Sequence, residues 1–260
     1  MKFDTEKIIS LAEEAGLVIL NIYKEDFSIY KKDDESPITA ADRLSHEIII
    51  SKLKKYFPAI PILSEESKKI PFSHRKKWKI YWLIDPLDGT KEFIKRNGEF
   101  TVNIALIENG VPIFGVVHQP TEKITYFGGK ICPAQKRSNS GTQTIKANLI
   151  SSNPIRIVAS KSHGSGLLDT FIEKTKNYTL LKIGSSLKIC LIAEGAADIY
   201  PRFGPTSEWD TAAAHAIAKA AGAKITNFQL EDLKYNTKDS LLNPSFIAFA
   251  DVTKNWLDFL

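Results

Sequence analysis

In the first third of the chain the apolar positions repeat with a period close to 3.6. Ile8, Leu11, Ala12, Ala15, Val18, Ile19 and Ile22 share one face, which predicts an amphipathic helix over residues 3–23. A second helix is predicted over 39–56, running through His46, Ile49, Ile50 and Leu53 and stopping before Phe57-Pro58, because a residue ahead of proline is pushed out of helical geometry. Asp42 then lies near a helix start. Continuous apolar runs at 79–84, 101–108 and 111–118 read as strands, and Asn109-Gly110 between the last two predicts a tight hairpin, so at least two strands form an antiparallel meander.

Beyond residue 154 strands and helices alternate: strand 155–159, helix 166–176, strand 178–183, helix 187–194, strand 198–201, and an alanine-rich helix 209–221 ending at Gly222. Residues 128–154, with SNSGTQT and SSNP, are polar and rich in turn formers and carry no recognisable motif, so they read as a boundary. The expected organisation is an N-terminal α+β lobe over 1–150 and a C-terminal α/β lobe over 151–260. No internal repeat or low-complexity tract interrupts it.

Composition narrows the class. A chain of 260 residues that is 43% hydrophobic can bury a sizeable core. No apolar stretch approaches the roughly 20 residues of a membrane-spanning helix, and MKFDTEKIIS lacks the apolar centre of a secretion signal, so the expectation is a cytoplasmic protein. Cys132 and Cys190 stand far apart with no CxxC or Cys/His neighbours, which argues against a disulfide framework or a zinc site. The charge balance, 35 − 30 = +5, fits a lysine-rich surface and would favour a small anionic substrate. Without a basic stripe interleaved with aromatics, nucleic acid is not an expected partner.

Candidate chemistry concentrates in YWLIDPLDGTKEFIKR, residues 81–96. Tyr81 to Ile84 is apolar enough for a strand buried on both faces, so Asp85 is expected at its end, with Pro86 turning the chain and bringing Asp88 back beside it. Neighbouring carboxylates stay ionised cheaply only around a cation, and hard oxygen donors, with the Leu87 carbonyl between them, favour Mg²⁺ over zinc. Gly89 permits close backbone approach, and Thr90 offers a hydroxyl where a short helix starts. An Asx-turn, with both aspartates bonded only to backbone, is the plainer alternative. Glu65, after the apolar run Ile60-Pro61-Ile62, and Asp210, at or near the cap of the alanine-rich helix, would complete a four-carboxylate set; singly, each fits a solvated loop acid or an N-cap as well. The five histidines, His46, His74, His118, His163 and His215, show no metal-ligand spacing and read as structural or surface groups, while Ser64 and Ser67 sit in no nucleophile motif. Gly184-Ser185-Ser186-Leu187-Lys188 places hydroxyls, amides and a lysine at a helix start, either as an anion cradle or as a serine-rich cap. Tyr200 and Phe203 could stack on a base, though both suit the core.

SPITAAD, LSEES, WLIDPLDGTKEF and EWDTAAAHAIAKAAGA, in this order and over nearly the whole chain, resemble the inositol monophosphatase superfamily of Mg²⁺-dependent, lithium-sensitive phosphatases. DGTKEF, GSSLK, PRFGPT and LNPSF are similar to its 3'(2'),5'-bisphosphate nucleotidase branch. The resemblance implies a layered αβαβα sandwich of the α/β (α+β) class. It implies two or three magnesium ions held by Glu65, Asp85, the Leu87 carbonyl, Asp88 and Asp210, with Thr90 positioning the attacking water, Asp42 bonded to Thr90, and Glu65 sharing in catalysis. Substrate contacts are implied for Glu65, Leu87, Asp88, Gly89, Thr90 and Asp210 around the reacting phosphate, and for Gly184, Ser185, Ser186, Lys188 and Arg202 around the rest. The implied substrate is a nucleotide bisphosphate, adenosine 3',5'-bisphosphate, with 3'-phosphoadenylyl sulfate as a second candidate in sulfur metabolism. Rival readings are an inositol or sugar phosphatase of the same superfamily and an inactive nucleotide- or metal-binding regulator. Relatives at the cytoplasmic face of the inner membrane leave peripheral membrane association open, and the chain is expected as a monomer or homodimer.

Overall fold

The computed structural model describes residues 4–25, 28–31, 37–161 and 166–260. His163 lies outside them. In chain order the elements are α1 (Thr5–Tyr23), β1 (Ile29–Lys31), β2 (Pro37–Thr39), α2 (Ala40–Tyr56), β3 (Ile62–Ser64), α3 (Phe72–Arg75), β4 (Ile80–Asp88), α4 (Thr90–Ile94), β5 (Thr101–Glu108), β6 (Val111–Gln119), β7 (Ile124–Gly129), β8 (Cys132–Ser138) and β9 (Gly141–Thr144). There follow β10 (Ile155–Ala159), α5 (Gly166–Thr175), β11 (Tyr178–Lys182), α6 (Leu187–Ala193), β12 (Ile199–Arg202), α7 (Glu208–Ala220), β13 (Lys224–Asn227), β14 (Phe246–Phe249) and a closing 3₁₀ turn, Trp256–Phe259.

Two sheets carry the architecture. Strands β3 to β9 form a seven-stranded sheet in sequence order, and the second sheet has the order β11-β10-β12-β14-β13. Helices α1 and α2 cover one face of the first sheet, where Ile8, Leu11, Ile19, Ile49 and Leu53 meet Trp82, Ile84 and Val102. Helices α6 and α7 fill the space between the sheets, packing Ile189, Ala213 and Ile217 against Tyr81, Leu83 and Phe246. Phe171 of α5 and Trp256 cover the outer face of the second sheet. The result is the five-layered αβαβα sandwich expected for the class. Gly115 on β6 is what lets α7 lie so close: a Cβ there would stand 2.1 Å from the Ala213 carbonyl oxygen.

The hairpin expectation holds, with Asn109 and Gly110 both at positive φ, 51° and 75°, the geometry of a tight two-residue turn. Two other expectations need correction. Residues 128–154 are not simply a connector, since β8 and β9 lie inside them and extend the meander to the sheet edge. Strand β4 does not end at Ile84 but runs on through Asp85 to Asp88, because β5 continues to pair with it.

Candidate active site

The extension of β4 explains how two aspartates three residues apart come to face the same way. Tyr81 and Leu83 point into the layer between the sheets, and Trp82 and Ile84 point to the α1/α2 side. Simple alternation would put Asp85 inward and Asp88 outward. The register instead shifts between them: Asp85 opposes Asn103 and Asp88 opposes Thr101, three steps on β4 against two on β5. This extra residue is a β-bulge, which reverses the alternation beyond it, and Leu87 accordingly joins the outer cluster. Asp85 and Asp88 both face inward. Ser45 of α2 pins the bulge by donating to the Pro86 carbonyl at 2.7 Å.

Glu65 follows β3, with its amide donating to the Ile84 carbonyl at 3.1 Å. Strand β3 is parallel to β4, so Glu65 and Asp85 leave the sheet at the same end. Asp210 arrives from the opposite side, in the first turn of α7. Its Oδ2 accepts the Ser207 amide at 2.9 Å, so it is a capping acid as well as a candidate ligand. Asp42 has the same local geometry at the start of α2: its Oδ2 accepts the Thr39 amide and hydroxyl, both at 2.7 Å, and its Oδ1 accepts the Thr90 hydroxyl at 3.1 Å. The two readings of these acids are therefore compatible, because the cap fixes the carboxylate plane while a second oxygen faces the site.

Asp85, Asp88 and Asp210 each bring one carboxylate oxygen within 4.8 Å of the other two. Burial, together with the charges of Glu65, Asp88 and Asp210, holds the Asp85 carboxyl well above the usual carboxylate range. Burial and the same repulsion from Asp88 and Glu65 do so at Asp210. Burial also raises Asp88, against the pull of Lys188 and the donors of Ser186. A fold that crowds buried like charges is unfavourable by itself and becomes favourable around a divalent cation. The donors are all hard oxygens, with the Leu87 carbonyl adjacent, its oxygen 3.4 Å from the Thr90 hydroxyl oxygen. The set fits magnesium by donor chemistry. Gly89, at φ 91°, makes the turn from β4 into α4 that brings Thr90 round to Asp42.

Beside the acids opens a cleft lined among others by Lys91, Gly184, Ser185, Lys188, Tyr200 and Arg202. Lys188 is buried and donates to the Ser185 carbonyl at 2.6 Å. Burial pushes its ammonium down to about 8, against the attraction of Asp88. Arg202 is held by the carbonyls of Gly204 and Pro205 at 3.1 and 2.8 Å. Gly184 and Ser186 turn their amides inward, to Glu99 at 2.9 Å and Asp88 at 2.6 Å respectively. Tyr200 lines the cleft but is itself buried, and Phe203 packs between Phe171 and Phe228.

Several residues here carried no readable signal in the sequence. Asn103 donates to Ser186 Oγ at 2.7 Å, and Asn243, inside LNPSF, donates to the Ser207 carbonyl at 2.8 Å and so steadies the start of α7. Ser64 does have an imidazole partner, His46 Nδ1 at 3.0 Å, one turn along α2 from Asp42. The contact joins residues 18 apart on separate elements, so no local motif announces it. His118 and His215 are buried with polar partners and His74 is exposed, away from any acidic cluster.

Comparison with known proteins bears on this geometry. The family described as Inositol monophosphatase family matches residues 3–256. The 3'(2'),5'-bisphosphate nucleotidase CysQ of Salmonella typhimurium is 46% identical over 243 residues, covering 93% of this chain and 97% of its own. The crystal structure of CysQ from Bacteroides thetaiotaomicron, a bacterial member of the inositol monophosphatase family, superposes with a TM-score of 0.84 at 43% identity, over 96% of this chain and 98% of its own. An IMPase from Thermotoga maritima, 23% identical over 98% of this chain and 95% of its own, shares the fold with a TM-score of 0.81.

Proposed function

The chain belongs to the inositol monophosphatase family, and from that premise we propose that it is a 3'(2'),5'-bisphosphate nucleotidase, a magnesium-dependent phosphatase that converts adenosine 3',5'-bisphosphate to AMP and phosphate. The observation that carries this reading is the juxtaposition of three inward carboxylates with a cleft whose walls hold Lys188 and Arg202. One end suits a reacting phosphate and its counter-ions, and the other suits a second anionic group. Identity above 40% to CysQ proteins over almost the full chain favours the nucleotide over an inositol phosphate.

In this reading Asp85, Asp88, Asp210, Glu65 and the Leu87 carbonyl hold two or three magnesium ions. Bound there, magnesium would lower the pKa of a water and neutralise the phosphoryl and leaving oxygens of an in-line displacement. The protein's own share is positioning. Thr90 donates its proton to Asp42, so its oxygen lone pairs are turned to accept from the attacking water and to raise its nucleophilicity. Water adds its oxygen to phosphorus, the bond to the 3'-oxygen breaks, and that oxygen leaves with a proton. Gly184, Ser185, Lys188 and Arg202 form the wall against which the rest of the nucleotide rests. A cytoplasmic setting belongs to the same proposal, supported by two cysteines that are both free.

Phosphate release from adenosine 3',5'-bisphosphate and from inositol 1-phosphate, with magnesium and after chelation, tests the reading. A magnesium-dependent preference for the nucleotide is expected. Preference for the inositol phosphate would overturn the substrate, and release unaffected by chelation would overturn the metal site.

A further inference from the structure

Proton accounting around Ser186 assigns it a role other than touching substrate. Its hydroxyl oxygen has three polar neighbours: Asn103 Nδ2 at 2.7 Å, Asp88 Oδ2 at 2.7 Å and the Asp210 carbonyl oxygen at 2.6 Å. The Thr101 hydroxyl donates to Asn103 Oδ1 at 3.0 Å, which turns the Asn103 amide nitrogen toward Ser186. Ser186 Oγ therefore accepts from Asn103 and has its single proton for Asp88 or the Asp210 carbonyl. Meanwhile the Ser186 amide donates to the same Asp88 Oδ2 at 2.6 Å. Asp88 Oδ2 is thus occupied by the Ser186 amide and hydroxyl, with Asn103 Nδ2 also directed at it from 3.4 Å. Its Oδ1 accepts no hydrogen bond among the described residues.

We propose that Ser186 is a positioning residue for the cation. Its amide, and its hydroxyl proton shared between Asp88 and the Asp210 carbonyl, together with Asn103 hold the Asp88 carboxylate so that Oδ1 is the oxygen presented to the metal, with the first turn of α7 set beside it. Four elements meet at this hydroxyl: the bulged end of β4, Asn103 of β5, the start of α6 and the first turn of α7. Asn103, 0% exposed, is closed to solvent, and Ser186, 3% exposed, lines the cleft with its hydroxyl engaged by Asn103, Asp88 and Asp210. The proposal rests on the reading of Asp88 as a metal ligand.

Calorimetric titration of the full chain with Mg²⁺, in the absence of substrate, tests it. Ser186→Ala is expected to weaken magnesium by about tenfold, the range seen when a partner that orients a ligand is removed. Ser186→Thr keeps the hydroxyl and is expected to stay within about threefold of wild type. At saturating magnesium, KM for adenosine 3',5'-bisphosphate should barely move in Ser186→Ala. Asn103→Ala provides an independent arm should Ser186→Ala fail to fold, and it should weaken magnesium in the same direction. Wild-type magnesium affinity in either folded alanine variant overturns the proposal, as does a raised substrate KM with magnesium binding unmoved. A wild-type chain that takes up no magnesium would overturn the site reading beneath it.

Discussion

At Asp85 the fold buries a carboxyl among other carboxylates, so the ionised form a cation would need is the one least favoured when no cation is near. A buried carboxyl raised above its unfolded value binds its proton more tightly in the native state, so metal-free stability should fall as pH rises from about 4 through the raised native pKa. Magnesium at neutral pH should reverse that loss. Asp85→Asn removes the crowded charge, and we predict a thermal midpoint for the metal-free variant at or above wild type, while activity falls on the order of 100-fold or more. A scanning-calorimetry trace that drops several degrees would show instead that Asp85 holds the fold together. His118 carries the opposite sign. Its ring packs under α1, shares a hydrogen bond with the Thr125 hydroxyl at 2.9 Å, and is pushed down to about 4 by burial. Stability tied to it is present above about 6.5 and is lost as pH falls toward 4, by up to about 3 kcal/mol. Denaturant midpoints measured across that window should show a flatter curve for His118→Gln than for wild type, and parallel curves would remove His118 from the account.

Elements show where the sequence was legible and where it was not. The periods of α1 and α2 were readable because each buries one stripe, α7 because its alanine-rich run is a strong helix former buried on all sides between the sheets, and the β5–β6 hairpin because Asn-Gly dictates its turn. Strands β13 and β14 were missed, being four residues each and defined by pairing, β14 with β12 and β13 with β14, rather than by pattern. Strands β8 and β9 were hidden because the edge of a sheet stays polar, and Gly141–Thr144 is exposed throughout. The aspartates announced themselves, but the bulge that aims them did not, since a register shift exists only between two strands. Ser186 and Asn103 were invisible as a pair for the same reason, lying 83 residues apart. At this scale Gly115→Ala is the sharp test. The added methyl would meet the backbone of α7, which cannot move aside without displacing Asp210. We predict a loss of about 3 kcal/mol or more, read from denaturant unfolding, together with weakened magnesium binding.

Across the whole molecule, the two sheets occupy separate stretches of chain, 62–144 and 155–249, which supports the proposed division near residue 150. Yet α7, encoded in the second half, packs directly on β4 to β8 of the first, and the cluster between the sheets draws Tyr81 and Ala105 from one and Tyr200 and Ala248 from the other. Neither half can bury its inner face alone. The proposed lobes are therefore lobes of topology and not of stability. The expected outcome is one cooperative unfolding transition, superimposable when followed by far-ultraviolet and near-ultraviolet dichroism, and shifted as a unit by magnesium because the proposed ligands come from both halves. Residues 1–150 expressed alone should be soluble only in part and should lack native amide-exchange protection in β4 to β6, the strands that α7 covers. Two separated transitions, or a stable protected 1–150 fragment, would show that each half folds on its own and that the metal site merely joins two finished domains.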